Sequence, residues 1–89
     1  MINREIEIVN KLGLHARAAA KLVHLAARFS SDVRLSKGNE EVDAKSILGV
    51  LLLAAGKGSQ ITISADGTDE QEVIAALEGL IKARFDEVE

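Results

Sequence analysis

The short stretch Gly13-Leu14-His15-Ala16-Arg17 holds the residues of this chain that are best suited to chemistry. His15 stands where an extended segment gives way to a predicted helix, and Arg17 follows two residues later. The start of a helix exposes unpaired backbone N–H groups and carries partial positive charge, so it favours an anion. An imidazole there is a nucleophile beside an anion site, which predicts that His15 accepts a phosphoryl group. The alternative is that His15 only caps the helix and Arg17 is solvated.

Length and composition limit the classes of protein to which this chain can belong. Its 89 residues fit one domain, residues 1–89, with a single modest core. The absence of cysteine excludes thiolate chemistry and cysteine-based zinc sites. The net charge of −3 and the presence of only two aromatic residues argue against a nucleic-acid binder. No apolar run reaches the length of a membrane span, so we expect a cytoplasmic protein without membrane insertion.

Hydrophobic periodicity predicts seven elements in the order strand, helix, strand, strand, helix, strand, helix. The predicted strands lie at residues 2–8, 33–36, around 42, and 60–65, and the helices at 16–28, 47–55 and about 69–85. Ser46 is a plausible N-cap of the second helix, and Thr68-Asp69-Glu70-Gln71 resembles a capping box for the third. This order indicates an α+β fold, an antiparallel sheet covered on one face by helices. Periodicity leaves the strand order open.

The helices divide into faces that a core would bury and faces that it would not. We predict that the following face the core: Ala19, Leu22, Val23, Ala26, Val50, Leu53, Val73, Leu77, Leu80 and Ile81. The second helix carries more apolar residues than one sheet-facing stripe requires. Its surplus, Ile47, Leu48, Leu51 and Leu52, predicts a docking surface for a partner. A more deeply buried helix and a contact between copies of the chain are the alternatives.

Basic residues share one face of the first helix. Arg17, Lys21, His24 and Arg28 follow one another at spacings of four, three and four. On a chain of net negative charge, this face indicates electrostatic docking of acidic partners. An ordinary solvated face is the alternative. The two histidines have no pattern of nearby carboxylates, so we expect no metal site.

Several motifs together resemble one family. Gly13-Leu14-His15-Ala16-Arg17 is similar to the active-site motif of the HPr family, the histidine phosphocarriers of the phosphotransferase system. Lys45-Ser46-Ile47-Leu48-Gly49-Val50 resembles its regulatory serine segment, and Ile61-Thr62-Ile63-Ser64-Ala65-Asp66-Gly67 its last strand. The similarity covers about residues 2–84. It implies an open-faced β-sandwich with four antiparallel strands under three helices.

The resemblance also implies roles for individual residues. Nδ1 of His15 would take the phosphoryl group, with the backbone N–H groups of Ala16 and Arg17 and the Arg17 guanidinium around its oxygens. Enzyme I would be the donor and enzyme IIA domains the acceptors. Ser46 would be the target of HPr kinase/phosphorylase, although a simple N-cap is the alternative. We expect no cofactor and a monomer that acts as a cosubstrate, not as an autonomous enzyme.

Two details leave other functions open. Ala18 stands where the family usually has proline, so the first turn lacks that residue's rigidity. This weakly favours a docking protein that has kept the fold without the chemistry. The lead-in Asn10-Lys11-Leu12-Gly13 resembles the nitrogen-linked branch, NPr, and favours a regulatory protein whose phosphorylation state is its output.

Overall fold

The computed structural model describes residues 1–87 and confirms the predicted order of elements. The elements are β1 (Ile2–Glu7), α1 (Ala16–Ala26), β2 (Asp32–Lys37), β3 (Glu40–Asp43), α2 (Ile47–Leu52), β4 (Gln60–Asp66), α3 (Glu70–Lys82) and a 3-10 turn (Arg84–Asp86). Each helix ends earlier than periodicity predicts, because apolar spacing continues into the turns that follow the last helical hydrogen bonds.

The sheet has the strand order β1-β4-β2-β3, and every neighbouring pair is antiparallel. The last strand therefore lies between the first and the second. Its register places Ile61 opposite Ile6 and Ile63 opposite Leu35, so the apolar residues of three strands share one face. The open-faced, four-stranded fold that the sequence predicted is confirmed.

The three helices cover that apolar face. α3 packs on β1 and β4, α2 packs beside β3, and α1 contacts both other helices. The predicted core residues of α1 and α2 are buried, as are three of the four predicted for α3. The exception is Leu80, which is only partly buried, whereas Ile74 is buried without having been predicted. Ala18 is also buried, and α1 is helical through this position without proline.

The start of α3 differs from the predicted capping box. The N-cap is Asp69, not Thr68, and its side chain makes no hydrogen bond to the helix. The Asp69 carboxylate instead accepts hydrogen bonds from the backbone N–H groups of Ser30 (2.8 Å) and Ser31 (2.9 Å) and from the Ser31 hydroxyl. Glu70 accepts from the Gly67 N–H at 3.0 Å. Asp69 therefore joins the start of α3 to the segment after α1.

The chain reverses direction after α3. Arg84, Phe85 and Asp86 have φ values of 58°, 54° and 62°, in the left-handed region that residues with a Cβ rarely enter. Phe85 is fully buried, and its carbonyl oxygen accepts a hydrogen bond from Nζ of Lys21 in α1 at 2.6 Å. Burial of the phenylalanine contributes about 1.5–3 kcal/mol, which offsets part of the strain of three left-handed residues at roughly 1–2 kcal/mol each. The end of the described chain is thereby held against α1.

Candidate functional site

The loop before α1 fixes the position of His15. Gly13 has a φ of +66°, and the N–H of Leu14 donates to the carbonyl of Ala55 at 2.9 Å. A Cβ on Gly13 would lie 2.5 Å from that same carbonyl oxygen, so only glycine allows the close approach. Leu14 is buried beneath the loop. His15 is therefore presented from a backbone that is anchored on both sides.

His15 is the N-cap residue of α1, in the extended conformation typical of that position. Its side chain makes no capping hydrogen bond, and it is 28% exposed. The N–H groups of the first helical turn have no intrahelical acceptors. The start of α1 thus combines an accessible imidazole with uncapped, outward-pointing N–H groups, as the sequence predicted.

Ala16 and Arg17 form the exposed first turn of α1. Within residues 1–87, the Arg17 guanidinium has no hydrogen bond and no ion pair. An arginine without a protein partner is free to bind an anion through two parallel N–H groups. The structure therefore brings together all three residues that the sequence assigned to the phosphate site.

Two residues at this site escaped the sequence analysis. Nε2 of His15 is hydrogen-bonded to the carboxylate of Glu87, and the other oxygen of Glu87 accepts from Nδ2 of Asn10 at 2.9 Å. Asn10 is fully buried, and Nδ2 also donates to the Gly13 carbonyl at 2.8 Å. Asn10 is a polar residue in the same loop as Gly13, three residues before it, and this gave a weak indication of a role at the site. Nothing local could signal Glu87, which lies 72 residues from His15 along the chain.

The surroundings of Glu87 favour its ionised form. Hydrogen bonds from Asn10 and then from His15 hold the pKa of the Glu87 carboxyl below its ordinary value, against the opposing effect of partial burial. An ionised carboxylate only accepts hydrogen bonds. The ionised Glu87 carboxylate can therefore only accept in the hydrogen bond that it shares with Nε2 of His15.

The basic face of α1 is less uniform than the sequence predicted. His24 is exposed on α1, and Arg28 is exposed in the turn after α1, beyond the end of the helix on which it was predicted. Lys21 is half-buried, and its Nζ donates a hydrogen bond to the Phe85 carbonyl. These three residues line an open cavity of about 400 Å³ together with Leu25, Leu80 and Asp86. Arg17 lies outside that lining, one turn closer to His15.

The surplus apolar residues of α2 are mostly on the surface. Leu48 and Leu52 are 68% and 64% exposed, and Ile47 is 40% exposed. Leu51 is the exception, because it is half-buried against the core. Ser46 caps α2, and its Oγ accepts from the Gly49 N–H at 3.1 Å. The predicted N-cap is confirmed, and the predicted docking surface is reduced to Ile47, Leu48 and Leu52.

Residues 1–87 contain no group of three or more His, Cys, Asp or Glu side chains placed to hold a metal ion. Across the same residues, the helices are all too short or too polar to cross a membrane.

Comparison with known proteins gives a consistent result. The family described as "PTS HPr component phosphorylation site" matches residues 2–83. The phosphocarrier protein HPr of Cupriavidus necator is 56% identical over 89 residues, with full coverage of both chains. The phosphocarrier protein NPr of Shewanella violacea is 42% identical, covering 97% of this chain and 94% of the relative. A crystal structure of HPr from Thermoanaerobacter tengcongensis superposes with a TM-score of 0.95 at 47% identity, over 98% of each chain.

Proposed function

Because the chain belongs to the HPr family of phosphotransferase-system phosphocarriers, we propose that His15 carries the phosphoryl group. The observation that supports this assignment most directly is the uncapped start of α1 beside an accessible imidazole. The Glu87 hydrogen bond occupies Nε2 and leaves Nδ1 as the ring nitrogen with a lone pair. Nδ1 would attack the phosphorus atom of the donor.

The phosphate oxygens would be held by the N–H groups of Ala16 and Arg17 and by the Arg17 guanidinium. Each charge-assisted hydrogen bond contributes roughly 1.5–3 kcal/mol, and about 1.4 kcal/mol shifts a transfer equilibrium tenfold. A site with many such bonds would retain the phosphoryl group. One arginine and two backbone groups suit a relay, in which the group must leave as readily as it arrives.

Labelling by a phosphoryl donor tests the assignment of His15. With enzyme I and labelled phosphoenolpyruvate, the wild-type protein should gain acid-labile, base-stable phosphate. His15→Ala should abolish it, because the nucleophile is removed. His24→Ala, which removes the chain's other histidine, is the control: it should still gain the acid-labile label, because loss of its docking charge changes the rate of labelling and not the phosphorylated residue. Labelling that persists in His15→Ala, or that disappears only in His24→Ala, would contradict the assignment.

The adjoining helices α1 and α2 expose both kinds of contact that a protein partner needs. Ile47, Leu48 and Leu52 supply exposed apolar area, and His24 and Arg28 supply positive charge. We infer that enzyme I and enzyme IIA domains dock on these two features with the start of α1 between them. The positive charge would also steer acidic partners, so association should weaken as salt is added.

A substitution in α2 tests this docking surface. Leu48→Ser should weaken binding to enzyme I about tenfold, because it removes apolar area from the contact, and should leave the fold intact because Leu48 is 68% exposed. Ala75→Ser, which introduces the same side chain at an exposed position of α3, is the control. Unchanged affinity in Leu48→Ser, measured by titration calorimetry, would exclude Leu48 from the interface.

Ser46 is proposed as a regulatory phosphorylation site for an HPr kinase/phosphorylase. Ser46 is half-buried, its Oγ serves as the cap of α2, and it lies in the segment that resembles the regulatory serine segment of the family. Incubation with a purified HPr kinase and ATP should label the wild type and not Ser46→Ala. Absence of label on the wild type would leave Ser46 with its structural role alone.

A regulatory role is the second candidate function, and the lead-in Asn10-Lys11-Leu12-Gly13, which resembles that of NPr, favours it. In that case the phosphorylation state of His15, and not sugar flux, would be the output. Failure to restore sugar uptake in a strain that lacks its own HPr, together with normal labelling of His15, would support this role. In either role, we propose a cytoplasmic monomer, and gel filtration at micromolar concentration tests the oligomeric state.

A further inference from the structure

The end of the described chain is built into the phosphorylation site. Phe85 is fully buried, its carbonyl is held by Lys21, and the N–H of Glu87 donates to the Arg84 carbonyl at 2.9 Å. These contacts fix the backbone immediately before and at Glu87. The Glu87 side chain therefore reaches His15 from an anchored segment.

Asn10 binds the carboxylate oxygen of Glu87 that His15 does not bind. Its Nδ2 donates both to Glu87 and to the Gly13 carbonyl, in the loop that presents His15. Its Oδ1 is buried and has no hydrogen-bond partner among residues 1–87, which is unfavourable. The Asn10 amide is therefore oriented by the two hydrogen bonds that Nδ2 donates, and its Oδ1 is left without a donor. Asn10, Glu87 and His15 form one chain of hydrogen bonds from the buried loop to the imidazole.

We propose that Glu87 is a positioning residue for phosphoryl transfer, which holds the proton of His15 on Nε2 and so presents Nδ1 as the nucleophile. This inference rests on the function proposed for His15. A neutral imidazole carries its proton on one nitrogen, and the acceptor bonded to the ring selects which one. The same arrangement of carboxylate and imidazole orients catalytic histidines in other proteins.

The charge balance of the reaction gives Glu87 a second effect. The lone pair of Nδ1 forms the bond to phosphorus, while the bond from phosphorus to the donor breaks and its electron pair leaves with the donor. Nε2 keeps its proton throughout, so the phosphorylated ring is a cationic imidazolium. The ionised Glu87 carboxylate lies against that cation. On transfer to an acceptor, the nitrogen–phosphorus bond breaks, its electron pair returns to Nδ1, and the ring is neutral again.

The proton position can be measured without any phosphoryl donor. We would record two-bond ¹H–¹⁵N correlation spectra of the labelled protein at about pH 8.5, roughly two units above the ordinary histidine value. The wild type should show His15 with its proton almost entirely on Nε2. Glu87→Ala should give a mixture of the two tautomers, because no carboxylate then selects one. Glu87→Gln should retain the wild-type pattern, since its amide oxygen still accepts from Nε2.

Initial rates of phosphoryl acceptance separate orientation from charge. We expect Glu87→Ala to be about tenfold slower than the wild type, and Glu87→Gln to be intermediate, because it orients the ring without balancing its charge. Glu72→Ala is the control: it removes an exposed carboxylate from the first turn of α3, outside the segment that anchors Glu87, and should change neither spectrum nor rate.

The two readouts distinguish failure of this inference from failure of the proposed function. A wild-type proton on Nδ1, or a Glu87→Ala variant with unchanged tautomer and unchanged rate, would overturn the role of Glu87. If the tautomer depends on Glu87 but the wild-type protein accepts no phosphoryl group, the function proposed for His15 is wrong. Glu87 would then orient the ring without a role in phosphoryl transfer.

Discussion

The starts of α1 and α2 both have an N-cap residue in the extended conformation, but only that of α2 is capped by a side-chain hydrogen bond. At α2, the side chain of Ser46 turns back and accepts a hydrogen bond from Gly49, so the helix satisfies part of its own unpaired terminus. At α1, the side chain of His15 turns away to Glu87, and the first-turn N–H groups receive no cap from it. The start of α2 is capped by its own side chain, and the start of α1 is uncapped, at the place where the proposed phosphoryl group would be held.

The largest effect should come from the glycine that supports the uncapped start of α1. Gly13→Ala would place a residue with a Cβ at a φ of +66° and push that Cβ into Ala55 and Gly56. We expect a loss of roughly 2–5 kcal/mol in the free energy of unfolding, from left-handed strain plus overpacking. Gly38→Ala is the control, because Gly38 has a similar φ of +60° and open space around it.

Chemical denaturation of both variants checks this prediction. Gly38→Ala should lose only the strain component, about 1–2 kcal/mol. Equal losses in the two variants would show that the loop does not need its close approach to residues 55 and 56.

The next effect concerns the guanidinium at the uncapped start of α1. Arg17→Ala should slow phosphoryl acceptance by roughly 10- to 100-fold and leave stability unchanged, because one charge-assisted interaction with the phosphate is lost. Arg17→Lys should recover part of the rate, since it keeps the charge without the two parallel N–H groups. Arg34→Ala, on the outer side of β2, controls for net charge. A rate as fast as that of the wild type in Arg17→Ala would mean that backbone N–H groups alone hold the phosphate.

The capped start of α2 should show the reverse behaviour. Ser46→Ala should lower the free energy of unfolding by about 1 kcal/mol, because it removes the side-chain cap, while the rate of phosphoryl acceptance at His15 stays unchanged. Ser36→Ala, at a half-buried serine within β2, is the control for loss of a hydroxyl. If Ser46→Ala transfers phosphoryl groups more slowly but has wild-type stability, then Ser46 acts in transfer and not as a stabilising cap, and the contrast between the two helix starts is wrong.

The smallest effect concerns the start of α3 and depends on pH. Hydrogen bonds from the Ser31 side chain and then from the Ser30 backbone lower the pKa of Asp69 to about 2. A pKa below that of the unfolded chain adds stability that is complete above the unfolded value and is lost as pH falls through the folded value. The free energy of unfolding should therefore decline between about pH 5 and pH 2 more steeply in the wild type than in Asp69→Asn.

Acid titrations monitored by circular dichroism compare the two curves. Glu40→Gln, at an exposed carboxylate on β3, should follow the wild type. If Asp69→Asn also follows the wild type, the bridge between Asp69 and the serines does not stabilise the fold at low pH.

Local pattern was enough to predict much of this molecule. Alternation of apolar residues predicted the strands, and three-and-four spacing predicted the buried face of α1, because both periods are properties of the backbone geometry. Ser46 was recognisable as a cap from its position before an apolar run. The Asp69 contact was not, because the capping box describes only local partners, and Ser30 and Ser31 compete for that carboxylate from across the fold.

The sequence by itself determined the order of elements, the antiparallel α+β class and the placement of His15 and Arg17 at one helix start, since each depends on neighbours within a few residues. Only the tertiary structure decided the strand order, the exposure of Leu48 and Leu52, and the hydrogen bonds from Asn10 to Glu87 to His15. Those features join residues far apart along the chain. Their contacts depend on how whole elements pack, which no local periodicity records.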